Sequence, residues 1–335
     1  MARYVAGRLA LLALMLGGLV VITFLIANIA PSDPAALAAG PDATRDMIET
    51  VRREYGLDQP LPQQFVRYVG DLLQGRLGRA VQTGNAVADD LARYFPATME
   101  LVLLSTGFAV ALGVPLGVLA AMRRNRPIDH AIRMMAVSGV ALPAFWAALL
   151  LQLLFSVHLG WLPTSGQLSV ATAPPPAVTG MILLDALWAG QFAVFAEALR
   201  YAVLPAFVLA LPSVAAIVRV NRAEMIEVLG ADHITAARAH GVPPWRVVGW
   251  LALKCAMLPT LAMIGLRLGW TLGSSFLVET VFDWPGIGLY AVSSALASDF
   301  KPVMGVTLAI GVTFMLCNLL IDLAYGWLDP RTRGA

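Results

Sequence analysis

ADHITAARAHGVPPW, Ala231 to Trp245, is a polar connection between two apolar stretches at roughly 201–219 and 257–281. Asp232 is a good N-cap type in front of His233–His240, whose composition suits one short helix. Gly241 supplies the positive φ of a helix stop, and Arg238 and His240 sit where a helix C-terminus favours cations. Pro243-Pro244 then restarts a second helix through Trp245 and Val248, because proline suits the first turn. The segment therefore predicts a short exposed helix, a fixed turn and a second helix leading into the next apolar stretch. An isolated helix of this length is marginal in water, so the reading expects a protein partner to support it; a solvated hairpin between spans is the plainer alternative.

Outward from this loop the chain is dominated by apolar sequence. Of 335 residues, 59% are hydrophobic and 13% charged, with a mean hydropathy of +0.74. Soluble domains carry about a quarter charged residues, so the excess apolar surface calls for lipid. Stretches of the roughly 20 residues needed to cross a bilayer run at about 9–30, 97–122, 131–158, 201–219, 257–281 and 303–327. That reading gives an all-α integral membrane protein with six spans. The first stretch is longer than a signal-peptide core and lacks a clean A-x-A site, so it is read as a retained span.

Lysine and arginine set the orientation. One set of connections holds 13 of them, from Arg3 and Arg8 through Arg123, Arg124, Arg126 and Arg133, then Arg219, Arg222, Arg238, Arg246 and Lys254, to Arg331 and Arg333. The opposite short connections hold only Arg200 and Lys301. Both termini are therefore expected in the cytoplasm. Segment 31–96, with nine acids and seven arginines, reads as a small extracytoplasmic element containing one amphipathic helix between Asp42 and Tyr55. A second external piece, 159–200, contains Pro174-Pro175-Pro176, and its part from Thr179 to Ala198 is expected to lie against the membrane surface. The division is thus 1–96, a first helix plus external segment, and 97–335, five helices with the loop at about 220–257.

Chemistry-bearing motifs are sparse. Cys255 and Cys317 have no zinc-type spacing, and His130, His158, His233 and His240 form no HExxH pattern. The expectation is no catalytic residue, no metal site and no cofactor held by this chain. G-x-x-x-x-G-K-[ST] does not occur, so any ATP-driven work needs a separate subunit. Ionisable residues within spans carry the functional reading by default: Arg267, Glu279 and Asp322 are the candidates for a transmembrane path. For each the plainer reading is structural, and the same holds for Glu100 and for Asn318 one turn from Asp322. Asp283-Trp284-Pro285-Gly286 reads as a turn with Pro285 starting a short helix toward Phe300. Six spans with few central acids suit a secondary transporter poorly, and no Ser/His or Asp/Asp set at membrane depth suggests a protease.

The order Asp232, Thr235-Ala236-Ala237-Arg238-Ala239, Gly241 and Leu258-Pro259 resembles the "EAA" loop of ABC importer permeases. It is closer still to the version in the dipeptide/oligopeptide/nickel branch of that family. Further blocks fit the branch in order: GLDQPLPQQF (56–65), ATMELVLLS (97–105), PLGVLAA (115–121), LGWLPTSG (159–166), VETVFDWPGIG (278–288) and NLLIDLAYGWLDPRTR (318–333). Departures are Pro31-Ser32-Asp33-Pro34 for Pro-Gly-Asp-Pro, Lys254-Cys255 for Arg-Asn, and Arg267 where Gln is commoner.

The resemblance implies a type I importer permease fold and a subunit that is itself no enzyme. It also implies a second homologous permease, two ATP-binding subunits that use ATP and Mg, and an extracytoplasmic substrate-binding protein, in a bacterial inner membrane. Asp232, Thr235, Ala236, Ala237, Arg238, Gly241 and Pro243 would then couple the ATPases to the path. Di- or oligopeptides are the implied cargo, with nickel complexes, glutathione and small glycans as the alternatives within the branch.

Overall fold

The computed structural model describes residues 2–29, 44–54 and 58–328. Its helices are α1 (Ala2–Ile29), α2 (Arg45–Glu54), α3 (Leu61–Leu73), α4 (Val87–Met122), α5 (Pro127–Ala141) and α6 (Ala144–Gln152, continued by a π-helical turn Leu153–His158). Then follow α7 (Ile182–Trp188), α8 (Phe192–Leu229), α9 (Asp232–Ala239) and α10 (Pro244–Arg246, continued by a π-helical turn Val247–Ala252). The chain ends with α11 (Leu253–Val281), α12 (Ile287–Leu296) and α13 (Phe300–Leu328).

Among the described residues four helices are long and apolar enough to cross a membrane: Val87–Met122, Phe192–Leu229, Pro244–Val281 and Phe300–Ile321. A fifth candidate is broken. The stretch expected as one span at 131–158 is two helices, α5 and α6, meeting at 102°. Pro143 explains the break, because it denies its neighbour the helical region, and Leu142 sits extended at φ −86, ψ 129. In α1 the described apolar portion is Ala10–Ile26.

α8 is the most buried of the spanning helices and the post around which the others gather. Its seam with α4 depends on Gly113 and Gly117, a small-xxx-small pair that lets backbones approach. A Cβ on Gly113 would lie 2.8 Å from Ile217 Cγ2, and one on Gly117 would lie 2.8 Å from Asn221 Oδ1. Gly265 and Gly269 do the same for α11 against Ile321 and Phe314 of α13. Prolines inside α4 (Pro96, Pro115), α8 (Pro205, Pro212) and α11 (Pro259) are carried without breaking the helices, as buried spanning helices tolerate them.

Two boundaries differ from the sequence reading. α8 begins at Phe192, so the part of Thr179–Ala198 expected on the membrane surface is divided between a spanning helix and the short α7. Leu183 of α7 is buried in the central core with Leu101, Ala148 and Trp284, and Ala186 is fully buried too. The reason is Asp185: its carboxylate accepts the Val178, Thr179 and Gly180 amides and the Thr179 hydroxyl, folding the preceding turn onto the helix. Burial pushes that carboxyl up, yet these hydrogen bonds outweigh it and hold its pKa below the usual carboxylate value. The other difference is α4, which starts at Val87 and runs through residues 96 and 97 without interruption.

Of the segment expected to be external, α2 falls within the helix expected between Asp42 and Tyr55; Pro31-Ser32-Asp33-Pro34, Asp42 and Tyr55 lie outside the described residues. α3 packs on α1 through Phe24 against Phe65 and Tyr68, ring centroids 5.2 and 5.7 Å apart. The turn ahead of α4 is pinned from afar. Asp90 accepts the Thr83 hydroxyl, the Asn85 amide at 3.0 Å and the Tyr290 hydroxyl at 2.8 Å, and Asp299 accepts the Val81 and Gln82 amides.

Candidate functional site

α9 occupies the expected segment, with one correction. Its N-cap is Ala231, which makes no side-chain cap bond, and Asp232 is the first helical residue. There the carboxylate still complements the positive end of the helix. At the other end Gly241 has φ +76, with its amide on Arg238 O at 3.0 Å and the Val242 amide on Ala237 O at 3.1 Å. These close the helix as a left-handed stop requires. A Cβ on Gly241 would meet nothing within 4 Å, so the glycine answers a backbone demand and leaves open space outside. Pro243, half-buried, precedes α10.

The short helix is anchored by its own chain, a support the sequence reading did not expect. Ile234, fully buried, enters a cluster with Ala121 of α4, Met225 of α8, Val247 and Ala252 of the π turn, and Ala256 of α11. An isoleucine buried to this degree contributes about 1.5–3 kcal/mol. Around it Asp232, Thr235, Ala236, Arg238 and Gly241 are exposed and Ala237 is half-buried. Five of the seven expected loop residues are thus exposed, on a segment held at a junction of three spanning helices.

Beneath this loop sits a polar node the sequence reading missed. Arg222 of α8 donates from Nε and Nη2 to both oxygens of Asp129, each at 2.7 Å. Asp129 is fully buried in the first turn of α5, accepts the Asn125 amide at 2.9 Å, and has Arg133 Nε 3.5 Å away. A signal was present: Asp129 is the single acid in the arginine-rich connection 123–133.

Arg267 and Glu279, twelve residues apart on α11, do not converge. Arg267 is half-buried in α11; its backbone carbonyl accepts the Thr271 hydroxyl at 2.8 Å, and no carboxylate partner to its guanidinium is found among the described residues. Asp322 lies on α13 with its side chain outside the described set, and Asn318 is half-buried on the same helix. Glu279 has no exposed surface; it accepts the Thr98 hydroxyl at 2.9 Å, the Ser275 hydroxyl at 2.8 Å, and the Gly288 and Leu289 amides at 2.8 and 3.2 Å. It caps the N-terminus of α12 and ties it to α4.

Several sequence blocks interlock at this opposite end. Trp284 Nε1 donates to Ala97 O at 2.9 Å, the Ile287 amide to Thr98 Oγ1 at 2.9 Å, and the Gly166 amide to Phe282 O at 2.9 Å. Glu100 accepts the Leu183 amide. A Cβ on Gly288 would lie 2.5 Å from Phe276 Cα and 2.7 Å from Glu279 Oε2, so only glycine lets the turn close. Glu279→Ala is therefore expected to strand buried donors at about 1–3 kcal/mol each and to lower the thermal unfolding midpoint of the purified chain. An unchanged midpoint would remove Glu279 from this role.

Among the described residues no group of three His, Cys, Asp or Glu side chains could hold a metal. Long apolar helices around a buried post, with an exposed short helix mounted where they meet, define a multi-span membrane protein. Family comparison gives the particular class. Residues 113–334 match the model described as binding-protein-dependent transport system inner membrane component, and residues 1–102 match its N-terminal counterpart. The chain belongs to this family, the multi-pass permeases of ABC importers, in its dipeptide/oligopeptide branch.

The chain is 45% identical to the probable D,D-dipeptide transport system permease protein DdpB of Escherichia coli strain K12, over 96% of this chain and 94% of that one. It is 38% identical to the di/tripeptide transport system permease protein DppB of Pseudomonas aeruginosa, over 99% of each. To the glutathione transport system permease protein GsiC of Escherichia coli O6:H1 it is 37% identical, again over 99% of each. In fold it resembles a chain of the inward-facing MetNI methionine ABC transporter, with a TM-score of 0.51 and 18% identity, covering 71% of this chain and 96% of that one.

Proposed function

We propose that the chain forms half of the translocation path of an ATP-driven importer of di- and oligopeptides in the bacterial inner membrane. It works with a second homologous permease, two ATP-binding subunits and an extracytoplasmic substrate-binding protein. On this reading α1, α4, the broken pair α5–α6, α8, α10–α11 and α13 are six spans with both termini and α9 in the cytoplasm, a topology supported by the 13 cations of that side. Residues 1–96 supply the first span and most of the external segment, and 97–335 the remaining spans.

The observation that carries this reading is the mounting of α9. Its exposed face is free for an ATPase, while Ile234 fastens its other face to α4, α8 and α11. Closure of two ATP-bound subunits would move α9 as a rigid lever, and the packed cluster would pass that motion to the spans at once. Ala236 and Ala237 permit close approach, and Gly241 lets the backbone turn within the partner's cleft. Arg267 is assigned to the path, where a guanidinium suits a peptide carboxylate; Asp322 is a further path candidate, and Glu279 is assigned to architecture. The peptide-named relatives support the cargo, and the glutathione-named relative supports that tripeptide as a second reading.

The test is to express the chain with its neighbouring genes, tag it, and identify what co-purifies. Recovery of a second permease and two ATPases, with ATP hydrolysis rising when the peptide-loaded binding protein is added, is the expected outcome. A chain that purifies alone and shows no such response overturns it.

A further inference from the structure

The π-helical turn between α10 and α11 sorts its side chains into two stripes. Residues five apart lie about 140° apart on an α-helix, but across this turn, where the Leu253 amide bonds Val248 O, they come into line. Val247 and Ala252 are both buried and, with Ala256 a turn later, face the cluster that holds Ile234. On the outside, Trp245 and Trp250 are each 69% exposed, and Lys254, four residues beyond Trp250, is exposed too. Arg246 lies over the Trp245 ring at 5.0 Å, and Lys254 Nζ lies 5.9 Å from the Trp250 centroid. Both distances fall in cation–π range.

Position and charge say what covers this stripe. Helix Pro244–Val281 has 38 residues, about 57 Å of rise, against a hydrocarbon core of about 30 Å. Its far end is held in protein at Glu279, so counting about 20 residues back from Ser275 brings the near membrane surface to the level of Cys255, next to Lys254 and Trp250. Tryptophan concentrates at that level, ring in the interface and N–H toward water. From His233 to Val278 the chain carries Arg238, Arg246, Lys254 and Arg267 and no carboxylate. A cationic, aromatic, acid-free stripe at the membrane surface complements anionic headgroups and gains nothing from zwitterionic ones.

We propose that Trp250 and Lys254 form a binding surface for anionic phospholipid headgroups on the leaflet that α9 faces. The same turn carries Val247 and Ala252 against the α9 anchor, so lipid on one face steadies the mounting on the other. This surface rests on Pro244–Val281 being a span and is independent of the cargo.

The full chain, with whatever subunits co-purify, is placed in nanodiscs of phosphatidylcholine with and without phosphatidylglycerol. Lipid retained on the protein is then counted by native mass spectrometry. Phosphatidylglycerol should be kept over phosphatidylcholine, with the preference falling about fivefold for Lys254→Gln, the weight of one cation at an anionic surface. Lys254→Arg should keep it. Trp250 fluorescence, taken as the difference from Trp250→Phe, should be quenched by headgroup-labelled lipid. No lipid preference in the unaltered chain overturns the proposal. So does a Trp250 signal that lipid quenches only after another subunit is stripped away, which would make the stripe a protein contact. Neither failure touches the co-purification result.

Discussion

Gly241→Asp and Ala237→Glu are expected to reduce uptake to background while ATP hydrolysis by the assembled transporter continues without its substrate-dependent rise. Neither change is large for this chain alone. Gly241 has φ +76 with open space around it, and aspartate is among the residues that tolerate this conformation, at about 1–2 kcal/mol. Glutamate is nearly as good a helix former as alanine to within a few tenths of a kcal/mol, so α9 keeps its form at Ala237. The Ile234 anchor is untouched in both. What changes is the free face: each variant sets a new carboxylate where a partner's surface must come within contact of the backbone. Burying such a charge unpaired costs several kcal/mol, enough to keep the lever out of its cleft. Uptake and hydrolysis measured on the same membranes decide it. Normal uptake in both variants would take the coupling role away from α9.

That loop was legible in the sequence because its signals are local. A glycine stop, two prolines and a helix of small residues lie within Asp232–Pro244, and each dictates conformation without help from elsewhere. Four of the span stretches, at 97–122, 201–219, 257–281 and 303–327, were legible for the same reason. What sequence could not supply was pairing across distance. Thr98 meets Glu279 from 181 residues away, and Arg222 meets Asp129 from 93. Seen singly, Glu279 is an acid in an apolar run and invites a functional reading; with four donors around it, it is a joint. The 102° bend at Leu142-Pro143 falls between these cases. Proline marks the place, but whether it kinks a span or breaks it depends on whether neighbours satisfy the freed backbone groups. In α7, Asp185 stands in an apolar stretch, and only the structure shows that its carboxylate is spent on the amides of the preceding turn.

Asp129→Ala and Arg222→Ala are each expected to destabilise the protein by about 3–5 kcal/mol, the cost of leaving one member of a buried ion pair alone. The Asp129 side chain is fully buried and that of Arg222 19% exposed, and their two 2.7 Å bonds are the bidentate geometry that makes such a pair strong. The pair also does directional work. It fastens the start of α5, and so the broken α5–α6 element, to α8 two turns before α8 ends at Leu229 and hands on to α9. A protein that has lost it should unfold at lower temperature and also transmit less of the α9 motion to the bent pair. The double variant Asp129→Leu/Arg222→Met separates these effects. Replacing both partners by apolar groups of similar size recovers much of the lost stability, so its unfolding midpoint should return toward that of the unaltered protein. Its uptake should stay below normal, because leucine and methionine pack without fixing the angle between α5 and α8. If stability and uptake return together, the pair is a fastening only, and the bent element follows α8 through packing alone.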